Sequence, residues 1–271
     1  MSILLIIHII DANNNVVAEM SSEEHVCLHI SRKYQEGDRI LIESSKVPIA
    51  LSVVVDEKVA PADIWLTKSI MEYPIPIGKE HEAYASEAFL GNEHTICVEI
   101  KNKSDWDKYR NVSENSLDRR GDTTFYPHCT ATVETRGESV FAARNTIDGI
   151  YENTSHGNWP YTSWGDNEDP NAQIMIEFGR KVKVDKVLIL LRADFPHDNY
   201  WKQASLIFSD GSRKLIYLEK TKENQVFSFS SRTVEWIKLT NLIKSEEESL
   251  FPALSQWAIF GGHNDGKDMG I

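Results

Sequence analysis

The run His156-Gly157-Asn158-Trp159-Pro160-Tyr161-Thr162-Ser163-Trp164-Gly165 gathers three large aromatic rings and a histidine within nine residues, beside glycine and proline. That mixture does not suit an alternating strand and reads as a loop. A sugar offers an apolar C–H face that can stack on an aromatic ring, and hydroxyls that need planar polar partners. Trp159 and Tyr161, with His156 beside them, fit that chemistry. Trp164 can instead serve as a core plug.

The stretch Arg192-Ala193-Asp194-Phe195-Pro196-His197-Asp198-Asn199-Tyr200-Trp201 repeats the mixture directly after a strongly apolar segment. Arg192 carries a rigid five-donor fork suited to adjacent hydroxyls or a carboxylate. Asp194 and Asp198 can accept from hydroxyls, His197 can donate or accept, and Trp201 can act as a stacking platform. A plainer reading stays open: Arg192 pairs with Asp194 to tie the loop down, and Trp201 faces inward at the start of a strand.

Other chemistries find less support. The nine histidines form no H-E-x-x-H or His-x-His pattern, so a catalytic zinc site is not indicated. There is no glycine-rich phosphate loop and no Gly-x-Ser-x-Gly elbow. Glycoside hydrolysis needs a pair of carboxylates, for which Glu168, Asp169, Asp194 and Asp198 are candidates. A third reading makes the aromatic loops anchors for a protein partner. Arg136 and Glu246-Glu247-Glu248 read as solvated loop residues.

These loops need a scaffold. The chain has 271 residues, 41% of them hydrophobic, enough for one large domain or two ordinary ones. A net charge of −12 opposes nucleic-acid binding and docking on anionic membranes, both of which call for a cationic surface. The acidity is spread out: residues 1–103 hold 9 Lys/Arg against 16 Asp/Glu, and the remainder 20 against 25. The three cysteines, Cys27, Cys97 and Cys129, are sparse, odd in number and widely spaced, so no disulfide framework is expected. The greasy start from Ile3 to Ile10 lacks a basic flank and a cleavage site, is too short to span a bilayer, and reads as a buried strand. A cytoplasmic protein is the resulting expectation. Its apolar strands need cover from their own domain or from another subunit, so an oligomer is open.

Short strands are expected at 3–10, 16–20, 25–30, 39–43, 49–55 and 95–100, the first two joined by the turn Asp11-Ala12-Asn13-Asn14-Asn15. Residues 1–103 thus form a first all-β domain. Residues 104–125 are charged and aperiodic and read as a connector, which Trp106 and Tyr109 could pin to one side. From Tyr126 strands return at 130–134, 172–178, 184–192, 201–208, 213–217, 225–229, 234–241 and 256–260, giving a second domain over 126–271. The spacing, without a long helical period, favours β-sandwiches or jelly rolls for both.

Within that second half, Ala143-Arg144-Asn145-Thr146-Ile147-Asp148-Gly149, the aromatic loop, and the strand Gln173-Ile174-Met175-Ile176-Glu177-Phe178-Gly179 form one recurring arrangement. It resembles the discoidin-like, coagulation-factor 5/8 type C family, galactose-binding-like jelly rolls that include many bacterial carbohydrate-binding modules. The resemblance covers about residues 126–262. It implies a non-catalytic, lectin-like protein that grips a sugar with loops at one end of the C-terminal jelly roll. It also implies a structural calcium ion at the Asp148-Gly149 turn, where Asp148, Asn153 and Thr154 offer side-chain oxygens. The family's remaining ligand, commonly Glu, falls on Gln256, whose neutral amide lowers the charge of such a site. The residues alone equally allow a tight turn capped by the Asp148 carboxylate.

Overall fold

In a computed structural model, which describes residues 2–192 and 198–263, the chain is almost entirely β. Its first part supplies β1 (Leu4–Ile10), β2 (Val16–Glu23), β3 (His25–Ser31), β4 (Arg39–Ser44), β5 (Ile49–Val54), β6 (Ala62–Leu66), β7 (Ile70–Pro74) and β8 (Glu93–Ile100). Aliphatic residues at alternate positions drive these strands: Leu5, Ile7 and Ile9 of β1 are buried while Ile6 and His8 are half-exposed. The β1–β2 turn closes as expected, with Asp11 Oδ1 accepting from the backbone N–H of Asn13 (2.8 Å) and Asn15 (2.9 Å).

A four-stranded sheet, ordered β2-β1-β4-β7, shares one core with a sheet built on β6-β5-β8-β3. The sequence reading did not pick out β6 and β7, two five-residue segments with only three residues between them. Cys27 on β3 and Cys97 on β8 are register partners and form a disulfide. This corrects the expectation drawn from their spacing. Antiparallel pairing joins residues 70 positions apart, which cysteine spacing along the chain does not reveal. Cys129 is a buried free thiol.

The charged stretch after β8 is not a loose tether. A single helical turn (Lys103–Trp106) buries Trp106, β9 (Arg110–Asn111) pairs with the last strand of the chain, and β10 (Phe125–Tyr126) pairs with β6. Leu117 and Phe125 enter the first core, and Val112 enters the second. The Arg180 guanidinium lies 4.6 Å from the Trp106 ring and 5.8 Å from Trp65, so cation–π contacts join the two halves. Burial, reinforced by nearby Arg110, lowers the Arg180 pKa to about 9.

The second part comprises β11 (His128–Ala131), β12 (Trp164–Gly165), β13 (Ile174–Leu191), β14 (Trp201–Phe208), β15 (Arg213–Tyr217), β16 (Gln225–Lys244) and β17 (Ala253–His263). Segments read from the sequence as separate strands prove continuous: β13 spans 172–178 and 184–192 almost entirely, and β16 joins 225–229 to 234–241. Both strands shift register between Glu177 and Val182, at a bend where Gly179 has φ +65° and Tyr126 packs against its α-carbon face. Both arms of β13 contribute to one core, through Ile174, Ile176 and Phe178 on one side of the bend and Val184, Val187 and Ile189 on the other.

Candidate functional site

Two connections meet at this core: 150–163, between the Asp148-Gly149 turn and β12, and the one between β13 and β14, described at Arg192 and at 198–200. Their bases are locked together. Trp164 and Trp201 are 0% and 1% exposed and stack with ring centroids 5.8 Å apart. The Trp164 indole donates to Val133 O (2.8 Å), and that of Trp201 to Asp166 Oδ2 (3.0 Å). Trp164 is therefore the core plug. Trp201 is too, which corrects its reading as a stacking platform: no face of a ring so enclosed can meet a ligand. Burial raises the Asp166 carboxyl, opposed by the Trp201 hydrogen bond.

Asn153 forms a second bolt. It is buried, and its amide donates to Leu191 O (2.6 Å) and Lys222 O (3.0 Å), tying the turn to the end of β13 and to a neighbouring loop. Arg192 is buried as well, with Nε donating to Asp198 Oδ1 at 2.7 Å and Nη2 reaching Phe251 O at 3.4 Å. Its fork thus serves the loop's own architecture, with Asp198 as a partner. Asp194 and His197 lie outside the described residues. A cavity of about 40 Å³ between Arg192, Asp198, Tyr200 and Thr221 has room for a water, not for a sugar ring.

The tip of the first loop is different. His156 is exposed, Trp159 is 38% exposed, and Tyr161 is half-buried. The loop rests on the first half of the chain, with Trp159 N–H donating to Glu82 O at 2.9 Å. A ring held by its backbone and open on its side chain can serve as a stacking surface.

The Asp148-Gly149 turn is buried under these loops. Asp148 Oδ1 accepts from Ile150 N–H (2.9 Å) and from Gln256 Nε2 (2.6 Å). Gln256 Nε2 also donates to Asn145 O (2.7 Å), while its Oε1 accepts from Gly149 N–H (3.3 Å). Burial pushes the Asp148 carboxyl up to about 7, against the pull of Arg144. Arg144 itself donates to Asp118 O and Ser116 O, both at 2.7 Å. Thr154 is exposed.

Three supporting residues escaped the sequence reading. Asn199 donates to Ser249 O (2.6 Å) and accepts from Ser245 Oγ (2.6 Å), closing the far loop. Asp118 and His128 form a buried pair at 2.6 Å; burial opposes the charged imidazole, but the Asp118 carboxylate outweighs it and raises the pKa. Short polar residues in charged stretches gave no pattern by which to single them out. A cavity of about 500 Å³ also lies between the two halves, lined among others by Pro74, Ile77, Tyr84, Arg120, Glu134 and Arg144. It is distinct from the aromatic loop tip. No helix among the described residues is long and apolar enough to cross a membrane.

Neither a protein-family model nor a curated protein sequence matches the chain. Solved structures similar to it include chitosan-binding module 1 of a chitosanase/glucanase from Paenibacillus sp. IK-5, at 16% identity over 56% of this chain and 99% of that one, TM-score 0.40. Another is the family 32 carbohydrate-binding module of Clostridium perfringens NanJ, in complex with galactose, at 21% identity over 49% and 91%, TM-score 0.37. A third is a Streptococcus pneumoniae fucose-binding module, at 14% identity over 57% and 97%, TM-score 0.40.

Proposed function

We propose that the chain is a non-catalytic, carbohydrate-binding protein that recognises its ligand through the loop carrying His156, Trp159 and Tyr161. The observation that carries this reading is the division of labour among the loop aromatics. Trp164 and Trp201 are sealed in the core, whereas Trp159 stands 38% exposed on the same frame. An open indole, in a loop that also carries an imidazole and a phenol, fits the stacking surface and hydroxyl partners a sugar needs. Asp194 and His197, which lie between Arg192 and Asp198 in the sequence, are proposed to complete the polar set. Affinity would be modest, because a small ligand on an open loop offers little area to offset its lost freedom.

Residues 1–103 are proposed as a separate sandwich domain that braces this loop through Glu82. The Cys27–Cys97 disulfide supports an oxidising compartment in place of the cytoplasm. Protein purified without reductant should then expose one alkylatable thiol on denaturation, that of Cys129. Three reactive thiols would count against this assignment.

Titration calorimetry with galactose, glucose, fucose and uronic-acid oligomers tests the function. At least one should bind, and Trp159→Ala should weaken it about tenfold, the equivalent of ~1.4 kcal/mol. The cavity between the halves favours a second location, because its volume of about 500 Å³ suits a small ligand. A ligand seated there would be insensitive to Trp159→Ala and would be lost with Arg120→Ala. Steady release of product from aryl glycosides would instead favour the hydrolase reading.

A further inference from the structure

A cation at the Asp148-Gly149 turn would be held by oxygens converging from the turn and from β17. Calcium takes about six to eight oxygen ligands at roughly 2.3–2.6 Å. The residues here are arranged for something else. The two oxygens best placed to face a cation, Asn145 O and Asp148 Oδ1, are both engaged by the Nε2 of Gln256, at 2.7 and 2.6 Å. The amide's orientation is fixed by its partners: Asn145 O is a carbonyl and can only accept, and Gly149 N–H can only donate, to Oε1. Hydrogens therefore point where a metal would need lone pairs.

Of the other two candidates, one is anchored through its amide and one is exposed. The Asn153 amide nitrogen is committed to the carbonyls of Leu191 and Lys222, and Thr154 lies at the surface. Positive charge is already present: the buried Arg144 guanidinium, anchored on Ser116 O and Asp118 O, interacts favourably with Asp148. A divalent ion would add further positive charge to a buried pocket whose carboxylate already faces the Arg144 guanidinium, at high desolvation cost. The calcium that the family resemblance implies does not fit this donor set.

We infer that the side-chain amide of Gln256 does the work of a structural cation, cross-linking Asn145 and Asp148 so that the loop end is assembled without metal. A cation bridges oxygens by charge; an NH2 group bridges them by two directed hydrogen bonds, built into β17. The loops above the turn would then keep their shape whatever the calcium concentration. One substitution should reverse the arrangement. Gln256→Glu removes both N–H donors and sets a second carboxylate against Asp148 and Asn145 O, an all-oxygen cluster that a hard cation would relieve.

The test is thermal melting of the full chain in millimolar calcium chloride and in EDTA, with calorimetric titration of calcium chloride. Wild type should melt at the same temperature in both and give no saturable heat. Gln256→Glu should melt several degrees lower in EDTA and recover with calcium. A wild-type melting temperature that rises with calcium, with saturable binding abolished by Asp148→Asn, would overturn the inference. So would a Gln256→Glu chain that melts like wild type in EDTA, since the amide donors would then hold nothing together. Should that variant fail to fold even in calcium, the wild-type titration decides alone. Neither readout depends on a sugar ligand, so the result stands apart from the proposed function.

Discussion

The turn at Asp148 and the loop tip at Trp159 are neighbours in sequence and opposites in design. At the turn, Asp148 Oδ1 and the amide of Gln256 are spent on partners within the chain, and both residues are buried. At the tip, the backbone is pinned to Glu82 while the Trp159 ring stands open. The contrast separates residues sealed into the frame from a ring left accessible at the surface. Residue type does not make this distinction: Trp201 and Trp159 carry the same ring, and only one is accessible.

The separation can be broken by substitution, and the largest effect should come from the buried side. Trp201→Ala should destabilise the chain by about 4 kcal/mol in urea unfolding, from lost burial, the emptied space beside Trp164 and an orphaned Asp166. A change under ~1 kcal/mol would mean that the two loops are not locked through this stack. Asn153→Ala should cost about 2 kcal/mol, because the carbonyls of Leu191 and Lys222 lose their donor.

The pH dependence of stability sharpens the same contrast. Asp148 is raised on folding from 3.8 to about 7, so the folded chain binds its proton more tightly than the unfolded chain. Its contribution is fully present below the unfolded pKa and is lost as pH rises through about 7. Wild type should therefore lose stability across that window relative to Asp148→Asn, in melts recorded from acid to neutral pH. Parallel curves for the two proteins would contradict a buried, titrating Asp148. The smallest stability effect belongs to the tip: Trp159→Ala should shift unfolding by less than ~0.5 kcal/mol, as expected for an exposed side chain.

Much of the scaffold was legible because it rests on local pattern. Alternation marked β1, β3 and β14 to within a few residues, and the Asp11 turn announced its own hydrogen bonds. What depends on pairing across long distances was not legible. Cys27 finds Cys97 through strand register, and the charged stretch after Lys103 hides Trp106, Val112 and Leu117 among polar neighbours. Within the candidate site, the aromatic content of the loops is legible in the sequence, but the direction of each ring is not. In the sequence Trp201 fits either a stacking platform or an inward-facing strand residue, because a strand's first residue can point either way, and its burial decides for the core. Arg192 reads as a fork with carboxylates nearby, and Asp198 is one that it holds.

The most direct measurement follows the seven tryptophan indole N–H groups by ¹⁵N NMR during titration with whichever sugar binds. The Trp159 resonance should move with saturation. Those of Trp164 and Trp201, bonded to Val133 O and Asp166, should stay fixed. A Trp159 signal that remains still while sugar binds, or a shift confined to the buried indoles, would contradict the assignment of recognition to the open loop.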